Sequence, residues 1–177
     1  MRRCFFFDRD GIVNESPGPG KYVEQWEDFH LKPGFVQVLR RITSLGFASV
    51  VITNQRCVAL GRLTVADLER MHDRFRALLR ERHGLEVTDI LYCPHDRGEC
   101  DCRKPKPGLL FEAARRHGLD LPGSWMVGDS ATDVEAGLAA GCRTILVGAA
   151  GPAGSATVSV ASLEELDSLI AAGRRVV

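Results

Sequence analysis

The chain reads as an α/β protein with a Rossmann-like, mostly parallel sheet and helices on both faces, forming one domain over residues 1–177. Three observations predict this. Short apolar, β-branched or aromatic runs recur along the chain with little polar alternation, as in strands buried on both faces. Amphipathic stretches with helical spacing lie between them, and such alternation is the signature of a parallel sheet. The length, 177 residues, suffices for one sizeable core and falls short of two ordinary domains.

The first strand is Cys4 to Phe7, followed by Ala48 to Thr53, Ile90 to Cys93, Trp125 to Val127, Thr144 to Val147 and Thr157 to Val160. Between and after them, helices are expected over Phe35 to Leu45, Val65 to Arg82, Gly108 to His117, Thr132 to Ala140 and Leu163 to Ala172. The second helix carries Val65, Leu68, Met71, Phe75, Leu78 and Leu79 as a stripe, with Thr64 as N-cap and Asp67 three residues on. The last helix opens with Ser162 and Glu165 in the same spacing. SPGPG at 16–20 and GAAGPAG at 148–154 read as loops. No internal repeat interrupts this order.

Hydrophobic residues make up 45% and charged residues 26%, the balance of a globular protein. The 23 basic and 23 acidic residues cancel, so no global field holds a nucleic-acid backbone or an anionic membrane, and a bound anion must be gripped locally. The apolar run after Arg3 stops at Asp8, too short for a signal-peptide core, and no stretch approaches a membrane span. The expectation is a cytoplasmic monomer. In a reducing compartment the clustered cysteines suit metal better than disulfides, while Cys4, Cys57 and Cys142 sit in apolar or small-residue contexts and are expected to be inert.

The chemistry is concentrated at the carboxyl ends of the strands. After CFFF comes Asp8-Arg9-Asp10-Gly11, after ASVVI comes Thr53-Asn54-Gln55, after ILY a cysteine-rich loop, and after WMV comes Gly128-Asp129-Ser130 with Asp133 beyond. In a parallel sheet these converge on one edge, where such sheets bind ligands. Asp8 and Asp10, two apart, are expected to share a side while Arg9 points away. With Asp129 they make an acidic oxygen pocket suited to a small hard cation, magnesium. One carboxylate can then attack phosphorus and its neighbour can move protons. Thr53, and Lys104 or Lys106, offer a hydroxyl and a cation to phosphoryl oxygens.

FFFDRDGIVNE, VITNQ, CRKPKPG and MVGDSATD resemble, in order and spacing, the four motifs of the haloacid dehalogenase superfamily of phosphatases. The resemblance implies Asp8 as nucleophile, Asp10 as general acid/base with a backbone carbonyl on the metal, Thr53 as a phosphate contact, Lys104 as the phosphoryl lysine and Asp129 as a magnesium ligand. Asp133 matches the second acid of the last motif, its metal contact left open.

Cys93, His95, Cys100 and Cys102 form a complete tetrahedral zinc set with no open position, which reads as a structural site. Such a knot would fix the loop that delivers Arg103 and Lys104. CPH followed by CDCRKPKPG resembles the zinc-carrying, capless branch of the superfamily, which includes phosphatases of heptose 1,7-bisphosphate and of histidinol phosphate. In that branch Arg103 would recognise substrate; a capless enzyme needs a small flap, for which ESPGPGKYVEQWEDF is the candidate, its Tyr22, Trp26 and Phe29 either walling the site or packing on the sheet. TNQRCVALG departs from the branch's usual TNQSGIARG, and SPGPG lengthens the segment after the first motif. Asn54 is a candidate substrate contact; Arg56 is either a second-phosphate contact or a solvated side chain. Lys21 would suit a bisphosphate and Glu15 an ammonium-bearing histidinol phosphate. Remaining alternatives are a nucleic-acid 3′-phosphatase, disfavoured by the neutral charge, and an inactive zinc-stabilised binding module, disfavoured by the intact acid cluster.

Overall fold

The computed structural model describes residues 1–148 and 155–173, so most of the GAAGPAG stretch lies outside the described residues. Strand β1 (Cys4–Phe7) is buried throughout, and its side chains alternate between two cores. Phe5 and Phe7 join the larger apolar cluster on one face, Cys4 and Phe6 the cluster on the other. β1 pairs in parallel with β2 (Ala48–Asn54), which pairs with β3 (Asp89–Cys93). On its other side lie β4 (Trp125–Gly128), β5 (Arg143–Val147) and β6 (Val158–Val160), again parallel. The order β3-β2-β1-β4-β5-β6 changes direction between β1 and β4, opening a crevice at their carboxyl ends. Asp8 and Asp129 come directly after those two strands.

Helices α1 (Pro33–Ser44), α2 (Val65–His83) and α5 (Leu163–Ala171) bring Phe35, Leu39, Met71, Phe75, Leu166 and Ile170 to the Phe5/Phe7 face. Helices α3 (Gly108–His117) and α4 (Ala131–Ala139) cover the other with Leu109, Leu110, Ala113 and Ala136. The two expected caps form: Thr64 Oγ1 accepts from Asp67 N at 3.1 Å and Ser162 Oγ from Glu165 N at 3.3 Å. Helix α1 begins earlier than the expected Phe35, because Pro33 in its first turn loses an N–H that would lack a helical partner anyway.

The flap aromatics divide. Trp26 lies in a short 3₁₀ turn, Trp26–Asp28, and stacks on Phe29 with centroids 5.2 Å apart. Phe29 meets Phe75 of α2 at 5.4 Å, and the Arg74 guanidinium sits 4.9 Å from the Trp26 ring. These two rings therefore pack against the covering helix, and Tyr22 alone of the three lines the acidic cleft.

Candidate active site

β1 gives way to a turn at Asp8, whose N–H still bonds to Val127 O of β4 at 2.9 Å. The carbonyl of Arg9 then accepts from the N–H groups of Val13 and Asn14 at 2.8 and 3.1 Å, bending the chain back over the strand ends. Gly11 has φ +96, and a Cβ there would lie 1.9 Å from Asp129 Oδ2, so only glycine lets this turn approach the acid so closely.

Lys104 is 4% exposed and its ammonium ties the carboxyl ends of β1 and β2 to the start of helix α4. It donates to Asp8 Oδ1 and Asp133 Oδ1 at 2.6 Å each and to Ile52 O at 3.0 Å. Burial works against its charge, but Asp133 and Asp8 outweigh that and keep it a cation. Asn54 clamps the Lys104 peptide, Oδ1 accepting from Lys104 N and Nδ2 donating to Lys104 O, both at 3.1 Å. Asp133 is 1% exposed and belongs to a capping box at the start of α4: Ser130 Oγ donates to it at 2.6 Å and Ser130 N at 3.2 Å. Its oxygens thus serve Lys104 and the helix start.

Asp8, Asp129 and Asp133 each offer a carboxylate oxygen within 4.8 Å of the others. Burial, then the charge of Asp133, pushes the Asp8 carboxyl up to about 7, with Lys104 opposing the rise. Burial and Asp133 also raise Asp129. Such an all-oxygen cluster, short of positive charge even with Lys104 in it, fits a hard divalent cation.

Asp10 is arranged differently from the expectation. Arg9 does not point away from the acids: it is 1% exposed and its guanidinium turns onto Asp10, Nε and Nη2 donating to Oδ1 at 3.1 and 3.0 Å and Nη2 to Oδ2 at 3.0 Å. The period-two rule holds in an extended strand, and β1 has already ended at Phe7. Asn14 Nδ2 also donates to Oδ1 at 2.9 Å and Gln55 Nε2 to Oδ2 at 3.1 Å. The Asp10 side chain lies outside the three-acid cluster. Thr53, 1% exposed, accepts from Gln55 Nε2 at 2.8 Å and lines the same cleft.

In the loop after β3, Cys93 Sγ lies 3.6 Å from His95 Nδ1 and 3.5 Å from Cys100 Sγ, and Cys102 Sγ lies 3.3 and 3.2 Å from the same two atoms. A zinc tetrahedron with Zn–S of about 2.3 Å has edges of about 3.8 Å, so a modest expansion of this group would hold the ion. Burial raises the Cys93 and Cys102 thiols, whereas at Cys100 hydrogen bonds from Cys102 and Cys93 outweigh burial and bring the thiol down to about 7. The donor set fits zinc.

The basic residues around this loop have separate tasks. Arg56 forks onto Asp96 of the cysteine loop at 2.5 and 3.2 Å, bracing the segment after β2 against it. Arg103 Nη1 donates to His95 O at 3.4 Å. Lys106 is bound to Asp101 and Cys100 O on the outside of the loop, so of the two candidate lysines only Lys104 reaches the acids.

The cleft above Asp8 has a volume of about 220 Å³ and is walled by Ser16, Lys21, Tyr22, Asn54 and Thr132. A larger groove of about 1030 Å³ runs along α1 between Phe29 and Arg82 and is lined by none of Asp8, Asp10, Asp129 and Asp133. Sequence reasoning gave no role to Asn14, Gln55 or His72, which buttress Asp10 directly or through Arg9. His72 was detectable: it comes next to Met71 on the buried stripe of α2, where a polar side chain needs a partner.

A family model described as HAD-hydrolase-like matches residues 101–162. The D-glycero-beta-D-manno-heptose-1,7-bisphosphate 7-phosphatase of Pseudomonas putida is 44% identical over 147 residues, 82% of this chain and 82% of that protein. The D-glycero-alpha-D-manno-heptose-1,7-bisphosphate 7-phosphatase of Mycobacterium bovis is 36% identical over 169 residues, 92% of this chain and 88% of that protein. A crystal structure of D,D-heptose 1,7-bisphosphate phosphatase from B. bronchiseptica, complexed with magnesium and phosphate, superposes with a TM-score of 0.85 at 31% identity over 97% of this chain and 99% of that one. On fold, strand-end chemistry and kinship together, the chain belongs to the heptose-1,7-bisphosphate phosphatase family of HAD-type phosphatases, hydrolases of phosphoric monoesters.

Proposed function

We propose that the protein removes a phosphate from D-glycero-D-manno-heptose 1,7-bisphosphate through an aspartyl-phosphate on Asp8. The observation that carries this is the placement of Asp8 at the switch point of the sheet, 2.6 Å from a buried ammonium and beside Asp129. Asp8 and Asp129, with the backbone carbonyl of Asp10, would hold magnesium, since Asp133 is engaged by Lys104 and Ser130. When bound there, magnesium neutralises the acids and draws the phosphoryl group toward Asp8.

The chain's own groups account for the steps. The Asp8 carboxylate bonds to phosphorus as the bond from phosphorus to the sugar oxygen breaks; that oxygen keeps the bonding pair and takes the proton of Asp10. Water then attacks phosphorus, gives a proton to Asp10, and Asp8 leaves with its electron pair. Lys104 and Thr53 stabilise charge on the equatorial oxygens. Zinc on Cys93, His95, Cys100 and Cys102 would fix the loop without joining the chemistry.

The names of the relatives support the heptose substrate over histidinol phosphate. Arg56, engaged with Asp96, is read as a brace, leaving Lys21 on the cleft wall, and Arg103 next to Lys104 in sequence, as candidates for the second phosphate. The balance of 23 basic and 23 acidic residues supports a small-molecule substrate over a nucleic-acid track. The test is magnesium-dependent phosphate release from both anomers of heptose 1,7-bisphosphate and from histidinol phosphate, for the wild type and Asp8→Asn. Preference for the heptose and abolition by Asp8→Asn are expected; equal rates on the two substrates, or turnover by the variant, would overturn the reading.

A further inference from the structure

Arg9 is among the largest fully buried side chains of the protein, and a buried guanidinium is costly unless its donors are met. Its Nε and Nη2 are met by Asp10. Its Nη1 points into α2, where His72 Nε2 lies at 3.4 Å and Met71 Sδ at 4.0 Å. His72 is 5% exposed, and burial followed by the charges of Arg9 and Arg76 pushes its pKa down to about 3. The ring is therefore neutral, free to accept at Nε2 from Arg9 while carrying its proton on Nδ1. Tyr92 of β3 packs its ring 5.7 Å from the imidazole.

From this geometry we infer that Arg9, seated by His72, is a positioning residue that aims the Asp10 carboxyl at the leaving oxygen and then at the attacking water. The inference rests on the reading of Asp10 as the group that moves the proton. A carboxyl held by one edge can swivel about its Cβ–Cγ bond, whereas here Arg9 grips both oxygens, Asn14 adds a donor to Oδ1 and Gln55 one to Oδ2. Proton transfer requires heavy atoms within about 2.6–3.2 Å, so a swivelling acid spends less time in reach. The cleft-facing part of Asp10 stays open: its side chain is 26% exposed while that of Arg9 is 1% exposed. A helix that otherwise only covers the sheet thereby becomes part of the proton-transfer apparatus.

A purely structural ion pair would behave differently in one respect. Loss of proton delivery slows the first step in proportion to the basicity of the leaving oxygen, so a sugar phosphate suffers and 4-nitrophenyl phosphate, whose phenolate leaves unaided, does not. The variants are Arg9→Met, His72→Leu and His72→Gln, with Asp10→Asn as reference, each checked for a cooperative melt.

With heptose 1,7-bisphosphate, Arg9→Met is expected to lose about 100-fold in kcat with KM within about twofold, the scale of a general-acid contribution. His72→Leu should lose about tenfold, and His72→Gln, which restores an acceptor, should recover most of it. With 4-nitrophenyl phosphate, rapid mixing should show a burst of phenolate at the wild-type rate in all three, followed by turnover that is slowed in Arg9→Met and His72→Leu, because water activation still needs Asp10.

Equal loss of the burst and of sugar-phosphate turnover would overturn the inference, as would a His72→Gln variant no better than His72→Leu. If Arg9→Met does not fold, the two His72 variants decide the matter by the same criterion. Should Asp10→Asn keep its sugar-phosphate rate, the reading of Asp10 itself fails. If Asp10→Asn collapses while the Arg9 and His72 variants keep wild-type rates, only the positioning role of Arg9 fails.

Discussion

Replacing Lys104 by methionine removes the ammonium that lies between two carboxylates, Asp8 and Asp133. Lys104 is 4% exposed, and Asp8 and Asp133 each bind it at 2.6 Å. Deleting one partner of a buried ionic group costs about 3–5 kcal/mol, because the remaining charges keep their desolvation without compensation. For a chain of 177 residues each kcal/mol moves the melting temperature by about 2–4 °C, so Lys104→Met should melt about 6–20 °C below the wild type. The double variant Lys104→Met/Asp133→Asn should melt higher than Lys104→Met alone, since it removes one of the two unpaired acids while an asparagine can still accept from Ser130. Turnover should fall by about 100- to 1000-fold in both, the loss expected for one donor to a transition-state oxygen. Calorimetry at pH 7.5 without added magnesium, with phosphate release measured in magnesium, reads both quantities. A Lys104→Met variant with an unchanged melting temperature, or a double variant less stable than the single one, would refute the reasoning.

The same geometry fixes three further outcomes. Metal analysis should find about one zinc per chain, and stripping it or introducing Cys102→Ser should lower the melting temperature and the activity together, because Lys104 lies two residues beyond Cys102; zinc-free protein of full stability would contradict this. Gly11→Ala should weaken magnesium binding by about tenfold or more, measured as the magnesium needed for half-maximal activity, since its Cβ would lie 1.9 Å from Asp129 Oδ2. His72 faces Arg9, Arg76, Asp10 and the Tyr92 ring, and its pKa of about 3 in the fold lies below the 6.5 of an unfolded histidine. Between those values the unfolded chain takes up a proton that the folded one refuses, so stability is lost as pH falls below about 6.5. At pH 5 the loss is about 2 kcal/mol, and the stability difference between wild type and His72→Gln should shift by that amount between pH 7.5 and pH 5 in urea titrations. A difference independent of pH would show that the imidazole titrates freely.

The strands, the covering helices and the residues at the strand ends were legible because each is written locally. A short β-branched run such as Ala48–Asn54, a Thr64–Asp67 cap and a Gly128-Asp129 pair after a strand all carry their meaning within a few residues. Contacts between distant segments were not. Whether Lys104 or Lys106 faces the acids depends on the path of the cysteine loop, and the clamp from Asn54 is fifty residues away in sequence. Arg56 looked available for phosphate because nothing near it in the chain announces Asp96, forty residues on, as its partner. Arg9 was misdirected because the alternation of a strand was carried one turn too far, into residues that already bend back through the Arg9 carbonyl. Asp133 showed its spacing but not its double engagement with Lys104 and the start of α4.

The most direct test of the proposed chemistry is to trap the covalent intermediate. Heptose 1,7-bisphosphate carrying radioactive phosphate at C7, mixed with enzyme and magnesium and quenched in acid within milliseconds, should leave label on the protein. The label should be released by hydroxylamine, as an acyl phosphate is, and should map to the peptide containing Asp8. Turnover at the full rate with no labelled protein at any time, or label on a residue other than Asp8, would contradict it.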